Sequence, residues 1–464
     1  MFIVLLFIFS SCTNWLDVQL DNKVDDSKLF SSAEGFKEAL AGVYSNMSKR
    51  NLYGRTLTME YVDVLAKYYN ASNNTYQYWN EYNYEYSSTK SVISGIWNNL
   101  YSNIAQLNCI LMWTDKNAGV MDENTRNQIR GEALALRAFL HFDLLRGYAP
   151  SYKMGKDEPA IPYVREVTNS PVVQSTVAEV LEYILTDLKT AQALLKPVDP
   201  IGPSFAEYND KLEYGMDEYI TDDGFWLYRK SRLNYYGVTA LMARVYLCQE
   251  NLTDALACAQ EVIDSKRFEF MNDSINNVYA YRNLSYIEKM ARHEYVSSLY
   301  VYDLKEGRSD LFFKNLASCE CVIAEGRKAS IYSGMGQDLD IRSKNWFETP
   351  AGSATEYVNK YMRGTQIPLL KLSEMYLIAA EASGDIRYRA NRGYATDPLP
   401  AGANLQDEIT KEYQKEFIAE GQLFYYYKRR NMAILPITST SMNRATYVLP
   451  VPDNELEFGN FKQN

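Results

Sequence analysis

The sequence predicts a mainly α-helical fold, and three observations carry that prediction. Apolar residues recur at steps of three and four through long segments, strand-like alternation is rare, and start and stop signals bound the periodic stretches. In SVISGIWNNLYSNIAQLNCIL, Ile93, Ile96, Trp97, Leu100, Ile104, Leu107 and Leu111 share one helical face, with Asn98, Asn99, Ser102, Asn103 and Gln106 between them. Ile129, Ala133, Leu136, Leu140 and Leu144 repeat the pattern, and Gly147 and Pro150 are expected to stop that helix. Thr176 with Glu179 forms a capping box for a helix through Leu195, which Pro197 ends.

A more specific pair follows. In YGVTALMARVYLCQENLTDALACAQEVI, residues Ala243, Tyr246, Leu252, Ala255, Ala259 and Val262 match the spacing of a tetratricopeptide repeat. Small residues let the two helices approach, Tyr246 fills the space near the turn, and Asn251 is expected to adopt the left-handed conformation there. A poorer copy begins in SEMYLIAAEASGD, residues 373–385. Residues 198–230 and 320–366 are rich in Gly, Asp, Ser and aromatics without sustained periodicity, and loops of that length are usually functional or disordered. Trp226 and Trp346 lie in them and favour order.

With 464 residues, 47% of them apolar, the chain can bury a sizeable core. A net charge of −10 without any long basic run argues against nucleic acid, whose phosphates demand clustered Lys and Arg. The N-terminal MFIVLLFIF is too short to span a bilayer as a helix and fits the apolar centre of a secretory signal, residues 1–11, followed by Ser10-Ser11-Cys12. Cys12 is then the expected lipidated residue. No Lys or Arg precedes this run, so the true start is expected a few residues upstream. Cys109, Cys248, Cys258, Cys319 and Cys321 fit no disulfide framework, and Cys319-Glu320-Cys321 lacks partners for a metal site; buried small hydrophobes explain them. No cofactor is called for, and structural calcium in the loops stays an open alternative.

Tyrosine is the outlier, at 39 against 18 Phe and 6 Trp. The segment YQYWNEYNYEY, residues 76–86, places six rings among amides and acids. As an extended strand it would put Tyr76, Tyr78, Tyr82, Tyr84 and Tyr86 on one face and Trp79 on the other. Rings stack on sugar C–H faces while amides and acids bond the hydroxyls. Either the tyrosine face seals the core, or rings from this segment meet a ligand. In the second case Trp79 is the foremost expected contact, with Tyr76, Tyr78, Asn80 and Tyr82 near it. Trp346, flanked by Asn345 and Phe347, is the next candidate, followed by Tyr300 and Arg282.

Catalytic signatures are few. His141 falls inside a helix and is expected to be packed, His293 lies in a charged stretch expected to be helical, and no G-x-S-x-G, H-E-x-x-H or P-loop occurs.

Five segments in chain order carry a family resemblance: SSCTNWLDVQ at the N-terminus, IWNNLYSNIAQLN (96–108), RGEALALRAFLHFDLLRGYAP (130–150), IPLLKLSEMYLIAAEA (367–382) and YVLPVPDNELEFGN (447–460). Together they resemble the SusD/RagB family of outer-membrane lipoproteins from Bacteroidetes, over essentially the whole chain. Three features depart from the family pattern, the first being that the asparagine- and arginine-bearing helix usual after the A-E-A segment is reduced to IRYRANRGYATDPLP. Lys371 stands where an Arg is usual, and in KEYQKEFIAEGQLFYYYKRR, Gln422 and Tyr425 replace the usual Arg and aromatic-Asp pattern while Glu416, Phe417, Glu420 and Gly421 are kept. The resemblance implies a tetratricopeptide-like scaffold with long ligand-facing loops, one SusD-like unit over 12–464 with halves at 12–230 and 231–464. It implies a non-enzymatic, lipid-anchored surface protein that hands a nutrient to a SusC-like TonB-dependent barrel. It also implies that the loop before the Trp97 helix contributes to the ligand site. An oligosaccharide is the expected ligand; a peptide ligand, or a helical-repeat interaction module without nutrient, are the alternatives.

Overall fold

The computed structural model describes residues 26–71, 74–206, 224–270, 291–304, 321–323, 326–332, 340–349, 356–361, 364–393, 399, 401–459 and 461. Cys12, Cys319 and Arg282 lie outside them. The helices that matter below are α1 (Ala33–Met47), α2 (Tyr61–Leu65), α3 (Asn74–Asn80), α4 (Ser87–Lys116), α5 (Glu123–Tyr148), α6 (Val177–Leu195), α7 (Tyr235–Cys248), α8 (Leu252–Asp264), α9 (Leu372–Ser383), α10 (Leu405–Glu416) and α11 (Leu423–Arg430). From α4 to α10 each helix packs on the next in the chain, the stacking of a helical-repeat scaffold. The fold is mainly α, as the periodicity requires. α5 runs one residue past Gly147, to Tyr148, because that glycine still accepts helical geometry and Ala149 is the first extended residue.

The helix α5 is buried on nearly every side, so its polar residues cannot face water. Each instead pins a different neighbour. Glu132 takes Arg229 Nη1 at 2.8 Å, the Tyr44 hydroxyl at 2.7 Å and Gln128 at 2.7 Å. Arg137 forms two parallel 2.8 Å bonds to Asp187 of α6 and a third to Asn108 of α4. His141 Nε2 accepts from the Val164 amide at 3.0 Å. At Gly131 a Cβ would lie 2.7 Å from Leu195 Cγ, so only glycine lets α5 and α6 meet there.

At the α7–α8 turn the left-handed residue is Glu250 (φ 60°), not Asn251. Asn251 stands at φ −84° and caps α8, its side chain accepting from the Asp254 amide. A side chain that can satisfy an orphan helix amide is worth more at the cap than at the position before it. The capping box of Thr176 and Glu179 forms as expected.

Short strands occur that the sequence does not signal, β3 to β5 within the stretch read as loop and β6 where a helix was read: β1 (Tyr69–Ala71), β2 (Tyr295–Tyr300), β3 (Cys321–Ile323), β4 (Phe347–Glu348), β5 (Tyr357–Val358) and β6 (Gln366–Lys371). They form the two-stranded antiparallel pairs β1–β3, β2–β6 and β4–β5. His293 sits exposed in a 3₁₀ turn, Arg292–Glu294, rather than on a helix. Of the described cysteines, Cys321 is buried, while Cys109, Cys248 and Cys258 are only half-buried.

The C-terminal motif residues build a buried ionic cluster. Glu416 receives Arg342, Lys371 and Arg392 at 2.8–3.1 Å, and Lys371 also reaches Glu420 at 2.8 Å. Burial alone would raise the Glu416 pKa, but Arg392, Lys371 and Arg342 hold it well below the carboxylate range. Lys371 thus does the work of the expected Arg by spreading one ammonium over two carboxylates. The following turn passes through Gly421 at φ 67°, where a Cβ would sit 2.1 Å from the Leu57 carbonyl oxygen. Asp63 of α2 accepts from the Ala419 and Gly421 amides at 2.6 and 3.0 Å and fixes that turn. Gln422 and Tyr425, the departures from the family pattern, both serve Arg146. Gln422 accepts from its Nη1 at 2.8 Å, and the Tyr425 ring lies 4.1 Å under its guanidinium.

Candidate functional site

Residues 76–86 are not a strand. Asn74–Asn80 is helical, and Tyr82 (φ 56°) turns the chain toward α4. Tyr76 and Trp79, three apart, therefore share a helical face that packs on Tyr61 at 5.3 and 4.8 Å. Both are 1% exposed. The Tyr76 hydroxyl donates to Glu60, and Tyr84, also buried, donates to the Thr446 carbonyl at 2.7 Å. Half-buried Tyr82 donates to the Leu65 carbonyl at 2.9 Å. Trp79 and Tyr76 thus seal the core and offer no face to a ligand. Only Tyr78 and Tyr86 turn outward, stacked on one another at 3.5 Å and 17°. Asn80 is taken up by Lys67, whose ammonium donates to its carbonyl and, at 3.0 Å, to its side-chain oxygen.

Trp346 is likewise buried, at 1% exposed. Its ring lies 3.8 Å beneath the Lys360 ammonium, which burial lowers to a pKa of about 8. Asn345, the polar neighbour that suggested an open site, spends its amide on the Ile341 carbonyl.

Tyr300 behaves as expected of a surface ring. It ends β2 at 55% exposed, with Tyr302 beyond it at 87%. The two stand over a groove of about 550 Å³ between β2 and α1, lined also by Lys37, Tyr44, Phe225 and Arg232. The wall from α1 is its outward face, Glu34, Lys37, Glu38, Ala41 and Ser45, continued by the C-cap Ser48, while Phe36, Leu40, Val43 and Met47 point to the core. Arg232 is fixed against the floor, donating to Glu132 at 3.0 Å with its guanidinium 4.6 Å from the Phe225 ring. Tyr44 donates to Glu132 and accepts from the Leu233 amide at 2.9 Å; burial, then Glu132, pushes its hydroxyl well above the usual range. Lys37 faces Glu34 at 3.8 Å. The groove therefore combines outward rings with hydroxyls and with cations that already have acid partners, which suits a polar ligand with apolar faces. Tyr302, Phe225, Tyr44 and Arg232 were missed in the sequence; the only signal was the aromatic content of the stretches around 225 and 300.

Among the described residues, no group of three or more His, Cys, Asp or Glu is placed to hold a metal ion. None of the described helices is long and apolar enough to cross a membrane.

The SusD-like family model, described as starch-binding and associating with the outer membrane, matches residues 14–199. Solved structures extend the likeness to the rest. A SusD superfamily protein from Bacteroides thetaiotaomicron aligns with TM-score 0.69 at 19% identity, over 93% of this chain and 99% of its own. The chain is SusD-like in sequence over residues 14–199 and in fold over the aligned length. A SusD-like carbohydrate binding protein from Bacteroides vulgatus gives TM-score 0.68 at 17% identity, over 92% and 97% of the two chains. A SusD superfamily protein from Bacteroides fragilis gives 0.66 at 18% identity, over 93% and 99%. No curated protein matched. The SusD-like segment spans α1 to α6, so the sequence match contains the α1 wall of the groove.

Proposed function

We propose that this SusD-like protein captures an oligosaccharide at the outer-membrane surface and passes it to a SusC-like TonB-dependent barrel. In this reading residues 1–11 are removed, Cys12 carries the lipid, and residues 12–464 act as one SusD-like unit. It works by binding, without covalent chemistry. The groove under Tyr300 and Tyr302 is the observation that carries the ligand class. Exposed rings stack on the C–H faces of sugars, and the serines and carboxylates of α1 bond hydroxyls. The family description and a solved relative described as carbohydrate binding support carbohydrate as the ligand.

Calorimetry of the mature chain against a panel of neutral and acidic oligosaccharides tests this. Binding of at least one glycan, weakened by about 1–3 kcal/mol in a Tyr300→Ala/Tyr302→Ala variant, is expected. Unchanged affinity in that variant would remove the groove from the ligand path. Purification from gently solubilised outer membranes tests the partner: a TonB-dependent barrel should accompany the protein in stoichiometric amount, and its absence would leave a surface binder without a transporter.

A further inference from the structure

Tyr302, at 87%, is the more exposed of the two outward rings at the groove, yet the strand that leads to it ends before it. The β2–β6 ladder stops at Tyr300 opposite Gln366. Beyond it the Val301 amide donates to the Thr365 carbonyl at 2.6 Å, and the chain turns, the Leu304 amide meeting the Val301 carbonyl at 3.4 Å. Val301 and Leu304 are each 1% exposed, so both feet of the turn are buried and Tyr302 and Asp303 form its outward tip. A ring so exposed has little packing of its own to hold it in place.

Asp303 ties that tip to the opposite wall. Its Oδ2 accepts from Arg50 Nε at 2.6 Å, a charge-assisted bond between side chains that both stay partly in solvent. Arg50 comes two residues after Ser48, which lines the groove at the end of α1, and Asp303 directly follows Tyr302. The pair therefore joins the two walls beside the ring. The Arg50 backbone is itself fixed, its carbonyl accepting from the Thr56 amide at 3.0 Å and from the Thr56 hydroxyl at 2.9 Å. An ion pair this exposed contributes little to global stability. Its effect is local: it removes freedom from a ring-bearing turn that a ligand would otherwise have to order on binding.

We propose that Arg50 and Asp303 are positioning residues: by tying the turn to the α1 wall they hold the Tyr302 ring over the groove and so set its affinity for oligosaccharide. The inference rests on the glycan-binding reading and adds to it what controls the strength of binding. The ring meets the ligand, and the ion pair acts only through the ring. Because salt screens a pair that reaches solvent, even an uncharged oligosaccharide should bind less tightly as salt is added.

The full mature protein is titrated by calorimetry with neutral malto-, xylo- and galacto-oligosaccharides, and the tightest of these is carried through Arg50→Met, Asp303→Asn, Tyr302→Ala and the double variant Arg50→Met/Tyr302→Ala. Arg50→Met and Asp303→Asn should each weaken binding about threefold to tenfold, and no more than Tyr302→Ala does, with unchanged urea midpoints. In the Tyr302→Ala background Arg50→Met should add less than about a twofold loss, because the ring through which it acts is gone. Added sodium chloride should weaken binding by the unaltered protein and leave Arg50→Met indifferent. Full affinity in both Arg50→Met and Asp303→Asn overturns the proposal while the glycan-binding function stands. So do additive losses in the double variant, which would place the action of Arg50 elsewhere than Tyr302. A urea midpoint that falls together with affinity assigns the pair a structural role and also overturns it. If Tyr302→Ala binds as tightly as the unaltered protein, or no oligosaccharide binds at all, the groove reading itself falls, and this inference falls with it.

Discussion

His141 shows how one side chain couples the motif helix to pH. It is fully buried, Nδ1 faces the Arg137 carbonyl at 2.8 Å, and Nε2 must be bare to accept the Val164 amide. Burial, with the Arg137 charge beside it, lowers its pKa to about 3 from 6.5. The unfolded chain therefore binds a proton that the folded chain refuses between those values. Stability should fall as pH drops through that window, by about 1.4 kcal/mol per pH unit. Between pH 7 and 5 this amounts to about 2 kcal/mol. Urea unfolding at both pH values, for the natural protein and His141→Gln, isolates the contribution. The variant should be less stable at pH 7, having lost the ring stacked on Tyr163, but should lose less on acidification. An equal loss in both would mean that His141 is not held neutral. Lys428 meets the same burial problem with backbone acceptors. Its ammonium rests on the Arg146 and Gly147 carbonyls, at the negative end of α5, which offsets only part of the cost, since burial and then the Arg146 charge still push its pKa well below the usual lysine range.

Among the elements, the α7–α8 pair was the most legible in the sequence, yet its turn was misread by one residue. Asn251 donates its amide to the Tyr246 carbonyl at 2.9 Å, and Glu250 takes the left-handed step before it, the arrangement that ends many helices at glycine. A glutamate pays a steric cost there. Glu250→Gly should accordingly raise stability by about 0.5–1 kcal/mol, read as a higher urea midpoint with an unchanged slope. A lower midpoint would refute the left-handed turn. The long helices were readable because their period is written in ten or more residues, as in Ile93 to Leu111. The segment at 74–80 was not, because seven residues admit two periods. Tyrosines at every second position suggested a strand, while Tyr76 and Trp79 at a separation of three obey the helix that Tyr61 stabilises. The short pairs β1–β3 and β4–β5 were invisible for a related reason: two or three residues carry no alternation, and their partners lie about 250 and 10 positions away. Polar neighbours also misled. Asn345 and Asn80 look like binding groups in the sequence, but their partners, the Ile341 carbonyl and Lys67, are fixed by local and tertiary geometry respectively.

Among the described residues the rings named above divide into two populations, and composition alone could not separate them. One is structural: Tyr76, Trp79, Tyr84 and Trp346 are buried, with hydroxyls bonded or faces covered by Lys360. The other is outward: Tyr300 and Tyr302 at the groove, and the stacked Tyr78–Tyr86 pair. A buried ring contributes through apolar area removed from water, and deleting it leaves a cavity. An exposed ring contributes little to folding and is free to stack on a ligand. Substitutions should therefore separate cleanly on two axes. Trp79→Ala should cost about 3–5 kcal/mol of stability. Where it remains folded, its affinity for oligosaccharide should be unchanged, the reverse of what its polar sequence neighbours suggested. Tyr302→Ala should change stability by less than about 0.5 kcal/mol and weaken oligosaccharide binding by about 1 kcal/mol or more. Urea unfolding and calorimetry on the same two variants read both axes. If Trp79→Ala were stable and deficient in binding, the helical packing of residues 74–80 would be the wrong account, and the ring would belong to the ligand after all.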